Sequence, residues 1–257
     1  MAGVNAGQRI VDCLIRRSQT GQNASMIDGL KTLFDYTPIE PYREHSKRLE
    51  LLLTQIDSVE NALKNLGFPE HLYNQQVAAA RNAFSTSALN NSWNHVLGNI
   101  TPDVELAFKW AAYAIPDEVN QLDASTLAEF KEEIISLKSD PMLTKLPPTL
   151  RDLITKYFDD ILNAISTYSI TGNAPFEKAA TDLTVKIILE NDALEAETTQ
   201  VTKETEPFFK QAKSFIKKTV DVVVTTGKGA DAIEKVLKLA TEKGPLLLEL
   251  VEKYVSR

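Results

Sequence analysis

Residues 146–172 read LPPTLRDLITKYFDDILNAISTYSITG. Leu150, Leu153, Ile154, Tyr157, Phe158, Ile161, Leu162 and Ile165 follow one another at steps of 3-1-3-1-3-1-3. That spacing keeps the apolar groups on one broad stripe of an α-helix, because each residue advances about 100° around the axis. Proline suits the first turn, where its missing N–H has no intrahelical partner, so Pro148 marks the start. Gly172 marks the end, since glycine accepts the left-handed conformation of a C-cap. A stripe this wide predicts a long helix facing a core.

The same grammar extends outward in both directions. Ile10, Val11, Leu14 and Ile15 predict one side of a short helix over 6–17, and a second helix is expected over about 24–36. Leu49, Leu52, Ile56, Val59, Leu63 and Leu66 are spaced 3-4-3-4-3, an a/d seam closed by Gly67 and Pro69. It spans under three heptads, which favours packing inside a bundle over a dimer seam. Residues 69–84 carry the run Ala78-Ala79-Ala80, and 85–99 are rich in Ser and Asn. Thr101-Pro102 reads as N-cap and N1 of a helix bearing Leu106, Phe108, Trp110, Ala111 and Tyr113. Apolar groups on more than one side predict that this helix is central.

Asp123 or Ser125 caps the next helix, whose buried side is Phe130, Ile134, Ile135 and Leu137. Beyond Gly172, Pro175 opens a helix with Phe176, Ala179, Ala180, Leu183, Ile187 and Ile188 inward. The acidic, Thr-rich stretch 190–206 is the best linker candidate. Pro207 opens a helix with Phe208, Phe209, Ala212, Phe215 and Ile216. TVDVVVTT, 219–226, fits a strand as well as a helix end, but with no second strand-like run to pair with, it is read as helical. Two last helices are expected over 229–242 and 245–256.

The fold class predicted is all-α: an irregular bundle of about ten helices without significant β-sheet. Three regions are drawn, 1–116, an acidic 117–200, and 201–257, which could form one continuous domain. Lys/Arg against Asp/Glu number 10 and 11 over 1–116, 7 and 15 over 117–196, and 11 and 9 over 197–257. The acidic middle reads as a solvated face, or as a surface for a basic partner or the basic tail. The net charge of −7 argues against a phosphate-backbone binder, so no nucleic-acid partner is expected. One cysteine, Cys13, excludes an intrachain disulfide and suits a reducing compartment. No leader, lipidation motif or apolar run of membrane-spanning length is read, and the expected location is cytoplasmic.

Motifs for chemistry are few in the sequence. His45, His71 and His95 stand alone, so no metal ligand set is assigned. Cys13 lies between Val11 and Leu14 and reads as a buried thiol. Thr225-Thr226-Gly227-Lys228-Gly229 fails the spacing of a phosphate loop and reads as a helix-to-helix turn. Asp159-Asp160 and Glu132-Glu133 read as solvated faces. No catalytic residue and no cofactor are assigned. Arg81, Asn82, Asn90, Asn91, Trp93, Asn94 and His95 form the densest polar group and the first place to seek a small-ligand pocket; its bland reading is a polar loop with Trp93 plugging the core. Lys213, Lys217 and Lys218 follow Phe208, Phe209 and Phe215, a pattern suited to an acidic membrane surface or, more simply, to core packing with a basic outer face.

Residues 146–172, a helix begun by Pro-Pro and ended by a Tyr-x-Ile-x-Gly turn, resemble a segment of uncharacterised bacterial proteins, some carried on mobile or defence-associated DNA. The resemblance covers about a tenth of the chain and implies a bacterial origin, but no activity. The function expected is therefore a non-enzymatic protein–protein interaction, as an accessory or sensor component of a bacterial system such as phage defence, with a protein partner or a second copy of the chain. The alternatives are a peripheral membrane effector acting through the C-terminal amphipathic helices, and an enzyme with a site around Arg81 and His95.

Overall fold

A computed structural model describes residues 5–34, 41–118 and 121–225. Among them lie twelve α-helices, three short 3₁₀ turns and no strand. An isolated β-bridge joins Ser25 to Ser92. The all-α class is as the periodicity predicts, and 219–225 continue a helix rather than forming a strand. The two helices expected after 226 and the Gly227-Lys228-Gly229 turn lie outside the described residues.

The chain divides into two compact units. The first comprises 1–118 and 167–172; the second comprises 119–166 and 173–257. The divisions drawn from sequence fall at 116/117 and 200/201. Residues 201–225 share a unit with 119–166, and the short segment 167–172 is counted with the first unit.

The first unit contains α1 (Ala6–Arg16), α2 (Met26–Phe34), α3 (Pro41–Asn65), α4 (Asn74–Ala83), α5 (Asn94–Asn99) and α6 (Pro102–Ala114). Leu49, Leu52, Ile56, Val59 and Leu63 of the α3 seam are buried in its core, so the seam is consumed within the unit. Leu66 is half-exposed, because α3 ends at Asn65 and the chain turns away. The turn is the predicted glycine stop: Phe68 N–H donates to Leu63 O and Gly67 N–H to Lys64 O, both at 3.0 Å, with Gly67 at φ +72°. Ile15 departs from expectation. It is half-exposed, while Ile10, Val11 and Leu14 are buried, because it stands at the edge of the α1 stripe.

Trp93 sits at the centre of this unit. Its ring is fully buried and lies against Gly29 of α2, where an added Cβ would stand 2.0 Å from Cε3. Only a residue without a side chain lets α2 pass that close. The indole Nε1–H donates to Arg17 O at 3.1 Å, and the Trp93 N–H to Ala24 O at 2.8 Å, so the loop carrying the ring is pinned by its own backbone.

A second knot is polar. Arg9 of α1 is buried, and Nε–H donates to Ile170 O at 3.0 Å. Its Nη2–H groups donate to Gln55 Oε1 of α3 at 2.9 Å and to Glu118 Oε1 at 2.8 Å. Gly172, at φ +61°, closes over this cluster; a Cβ there would lie 2.5 Å from both Arg9 Nη1 and Glu118 Oε2. Guanidinium is suited to such a place because its rigid fork meets several acceptors at once.

The second unit contains α7 (Ala124–Ser139), α8 (Met142–Lys145), most of α9 (Pro148–Thr171), α10 (Ala174–Leu189), α11 (Asn191–Thr198) and α12 (Glu206–Thr225). Asp123, not Ser125, caps α7: Thr126 N–H donates to its carboxylate at 2.7 Å, and Ser125 Oγ–H donates to the same oxygen. Ile135 is half-exposed, one residue off the buried row of Phe130, Ile134 and Leu137. Phe215 of α12 meets Phe130 and Phe158 edge-on, with ring centroids 5.9 and 5.6 Å apart. Tyr157 and Thr219 share a buried hydroxyl–hydroxyl bond of 2.6 Å, and burial raises the phenol's pKa above its ordinary value.

Residues 190–206 are not a linker. They carry α11, whose Leu194 is buried and whose Glu197 serves α9. The Glu197 carboxylate accepts from Thr149 N–H at 3.2 Å, Thr149 Oγ1–H at 2.8 Å and Leu150 N–H at 2.9 Å. These are the open donors at the first turn of α9, so the long helix is capped by a side chain nearly fifty residues downstream in sequence.

Candidate interaction face

Helix α6 carries two apolar rows. Val104, Ala107, Phe108 and Ala111 are buried in the first unit's core. Leu106, Trp110 and Tyr113 are 43, 47 and 95% exposed. At about 100° per residue the two rows centre on nearly opposite sides of the helix. The expectation of a central helix is thus corrected: α6 covers the core with one side and presents the other outward. The apolar residues on more than one side of α6 resolve into a core row and a bare row.

The helix that carries the bare row is fastened at both ends. Thr101 occupies the N-cap position with Pro102 behind it, although its hydroxyl makes no cap bond. Asp103 and Glu105 lie in the first turn, where the helix dipole favours negative charge. Glu105 pairs with Arg17, whose guanidinium also donates to Ile100 O at 3.2 Å. At the other end Asn5 Nδ2–H groups donate to Ala112 O and Ile115 O, both at 2.8 Å. Beside the row, Lys109 stands 3.8 Å from Glu105. The result is a helix fastened at both ends that bears Leu, Trp and Tyr at i, i+4 and i+7.

Large side chains in that register are how an amphipathic helix enters an apolar groove. Trp and Tyr are also the residues that most often dominate binding energy, since they bury much area at little rotamer cost. Burying a large apolar side chain contributes about 1.5–3 kcal/mol, so three partly exposed ones offer on the order of 4 kcal/mol. The residues are visible in the sequence but the face is not, since burial of one row alone separates them.

The polar group around Arg81 and His95 is arranged differently. Arg81 Nε–H and Nη2–H donate to Asp57 Oδ1 at 2.9 and 2.7 Å, and Nη2 also pairs with Glu60, so the guanidinium spans two carboxylates of α3. His95 Nε2 lies 3.2 Å from Asn82 O. Asn82 Nδ2–H donates to Asn99 Oδ1 at 2.9 Å, and Asn99 Nδ2–H to His95 O at 2.8 Å, so these groups fasten α5 to the end of α4. Asn91 O accepts from Met26 N–H at 3.2 Å, and Asn90 and Asn94 are exposed. Trp93 is the core plug. The set therefore does not converge on one cavity.

The remaining candidates resolve plainly. Cys13 is buried, and desolvation pushes its thiol up to about 11, away from the reactive thiolate. Asp159 pairs with Lys138 and Asp160 with Lys156, while Glu133 accepts from Lys218 at 3.3 Å. Phe208 and Phe215 are buried, so of the three aromatics near the lysines only Phe209 is partly open. Among the described residues no helix is long and apolar enough to cross a membrane, and no three His, Cys, Asp or Glu residues are grouped to hold a metal. No protein-family model, no curated protein and no solved structure matches the chain.

Proposed function

We propose that this protein is a non-enzymatic interaction module whose binding face is the Leu106–Trp110–Tyr113 row of α6. The partner is a protein that offers an apolar groove to receive the three side chains. Within this reading the chain acts in the bacterial cytoplasm as an accessory or sensor component of a larger assembly, for which phage defence is the setting suggested by the resemblance of 146–172.

The observation that carries the reading is that Trp110 and Tyr113 stand open on a helix fixed at both ends. A solvated helix face has no need of these residues, and exposed apolar rows of this kind mark recognition surfaces. The test is paired purification, from the native host, of the tagged wild type and a Trp110→Glu/Tyr113→Glu double variant. A stoichiometric protein that copurifies with the wild type and is lost from the equally folded double variant supports the reading. Retention of the same companions by both, or turnover of a small molecule by the wild type alone in solution, overturns it.

A further inference from the structure

Each end of the Leu106–Trp110–Tyr113 row carries an open carboxylate. Asp103 stands one turn before Leu106, Asp117 stands just past the last turn of α6, and both are exposed. The spacing 103-106-110-113 puts Asp103 on the same side of the helix as the apolar row. Asp117 lies outside the helix but is tied to its end. Asn5 Nδ2, which donates to Ala112 O and Ile115 O, also lies 3.3 Å from Asp117 Oδ1. The two carboxylates thus bracket the row, roughly 15–20 Å apart along the axis.

The other charges beside the row are already matched. Glu105 pairs with Arg17 and stands 3.8 Å from Lys109. Neither Asp103 nor Asp117 forms an ion pair among the described residues. The helix dipole accounts for a carboxylate at position 103, in the first turn, but not for one at 117, since negative charge is disfavoured beside a helix C-terminus.

This pattern restricts what can cover the row. A second copy of the chain laid antiparallel, with Leu106 against Tyr113 of the other copy, sets Asp103 beside Asp117 at both ends. Laid parallel, it sets each aspartate beside its own counterpart. Either way like charges meet at the rim of the contact and oppose association. A groove that ends in a cation on each side meets both carboxylates with opposite charge.

We infer that the partner of α6 is a different protein, whose apolar groove is bounded at each end by a lysine or arginine that pairs with Asp103 or Asp117. This rests on the reading of α6 as a docking face and names the chemistry of what docks there.

The test is to identify the protein crosslinked from a photoreactive residue at position 113, purify it, and titrate it with the full-length chain at about 0.05 M and about 0.5 M salt. Asp103→Lys/Asp117→Lys is expected to weaken binding at least tenfold at the lower salt and much less at the higher, because screening removes the rim attraction. Asp103→Asn/Asp117→Asn removes the charges without reversing them. It is expected to fall between the wild type and the lysine variant, and it carries the test if the lysine variant does not fold. Trp110→Glu is expected to abolish binding at both salt concentrations. The inference is overturned if the aspartate variants bind as the wild type does at low salt, or if the crosslinked species is a second copy of the chain. In those cases a loss of binding in Trp110→Glu leaves α6 standing as a docking face. Undiminished binding by Trp110→Glu, or no protein crosslinked at all, overturns that reading and this inference together.

Discussion

At the scale of single residues, three positions concentrate the consequences of close packing. Gly29 gives Trp93 its place, and an alanine there would drive its Cβ to 2.0 Å from the indole. Overpacking of this kind costs about 1–3 kcal/mol, so Gly29→Ala is expected to lower the urea midpoint and to change the near-ultraviolet circular dichroism of the indole. His45 is a second such position. It is fully buried, and burial lowers its pKa, with Lys31 and then Arg48 adding to the effect while Glu44 and Asp28 oppose it. The neutral ring is the form the fold accepts. In the unfolded chain the ring takes up a proton near pH 6.5, so His45 weakens the fold as pH falls below that value and has no effect well above it. Urea midpoints measured from pH 8 to pH 5 should fall for the wild type and fall less for His45→Gln; parallel curves would contradict this. Arg9 is the third. Arg9→Ala leaves the Glu118 carboxylate facing Gly172 without its cation, and a loss of about 3 kcal/mol is expected on chemical denaturation.

At the scale of elements, α9 shows how sequence and structure divide the work. Its stripe, its proline start and its glycine stop are all local signals, and the helix runs from Pro148 to Thr171 as they indicate. Its cap is not local. Glu197 approaches it from α11, in a stretch whose acidity and threonines resemble a linker when read along the chain. Burial opposes the charge on Glu197, but the bonds from Leu150 N–H and the Thr149 hydroxyl and N–H outweigh it and hold the carboxylate below its ordinary pKa. Its contribution is therefore present above the unfolded carboxylate range and is lost as pH falls through the lower folded value. Glu197→Ala is expected to cost about 1 kcal/mol near neutral pH, typical of a lost helix cap, and to show a smaller penalty at pH 3. Helix α6 teaches the complementary lesson. Its two apolar rows are both legible as spacing, 104-107-108-111 and 106-110-113. Periodicity states which residues share a side, whereas which side meets a core depends on the neighbouring helices, and that information is spread over distant parts of the chain.

At the scale of the whole molecule, the division into units does not follow the order of the chain. Residues 167–172 are counted with 1–118, although they end a helix whose earlier turns belong to the other unit. They bring to the first unit the buried Ile170 and the Ile170 carbonyl that accepts from Arg9. A fragment of residues 1–118 lacks both, and is expected to melt at a lower temperature than the first unit does in the full chain, as followed by the fluorescence of Trp93 and Trp110, both of which lie within 1–118. Equal melting would show that 167–172 are dispensable. This arrangement is invisible to composition and periodicity, since the Arg9 bonds join residues up to 161 positions apart. The helices and most of their buried rows could thus be read from sequence, while the polar knots and the bare row are products of tertiary assembly.

The central claim is that α6 is a docking face, and site-specific photocrosslinking in the native host addresses it most directly. A photoreactive residue replaces Tyr113, with the half-exposed Ile135 of α7 as the control position. The account predicts one dominant protein crosslinked from position 113, absent from position 135, and lost when Trp110 is changed to Glu. Crosslinking from 113 that matches position 135 in pattern and yield, or that persists in the Trp110→Glu background, would contradict it.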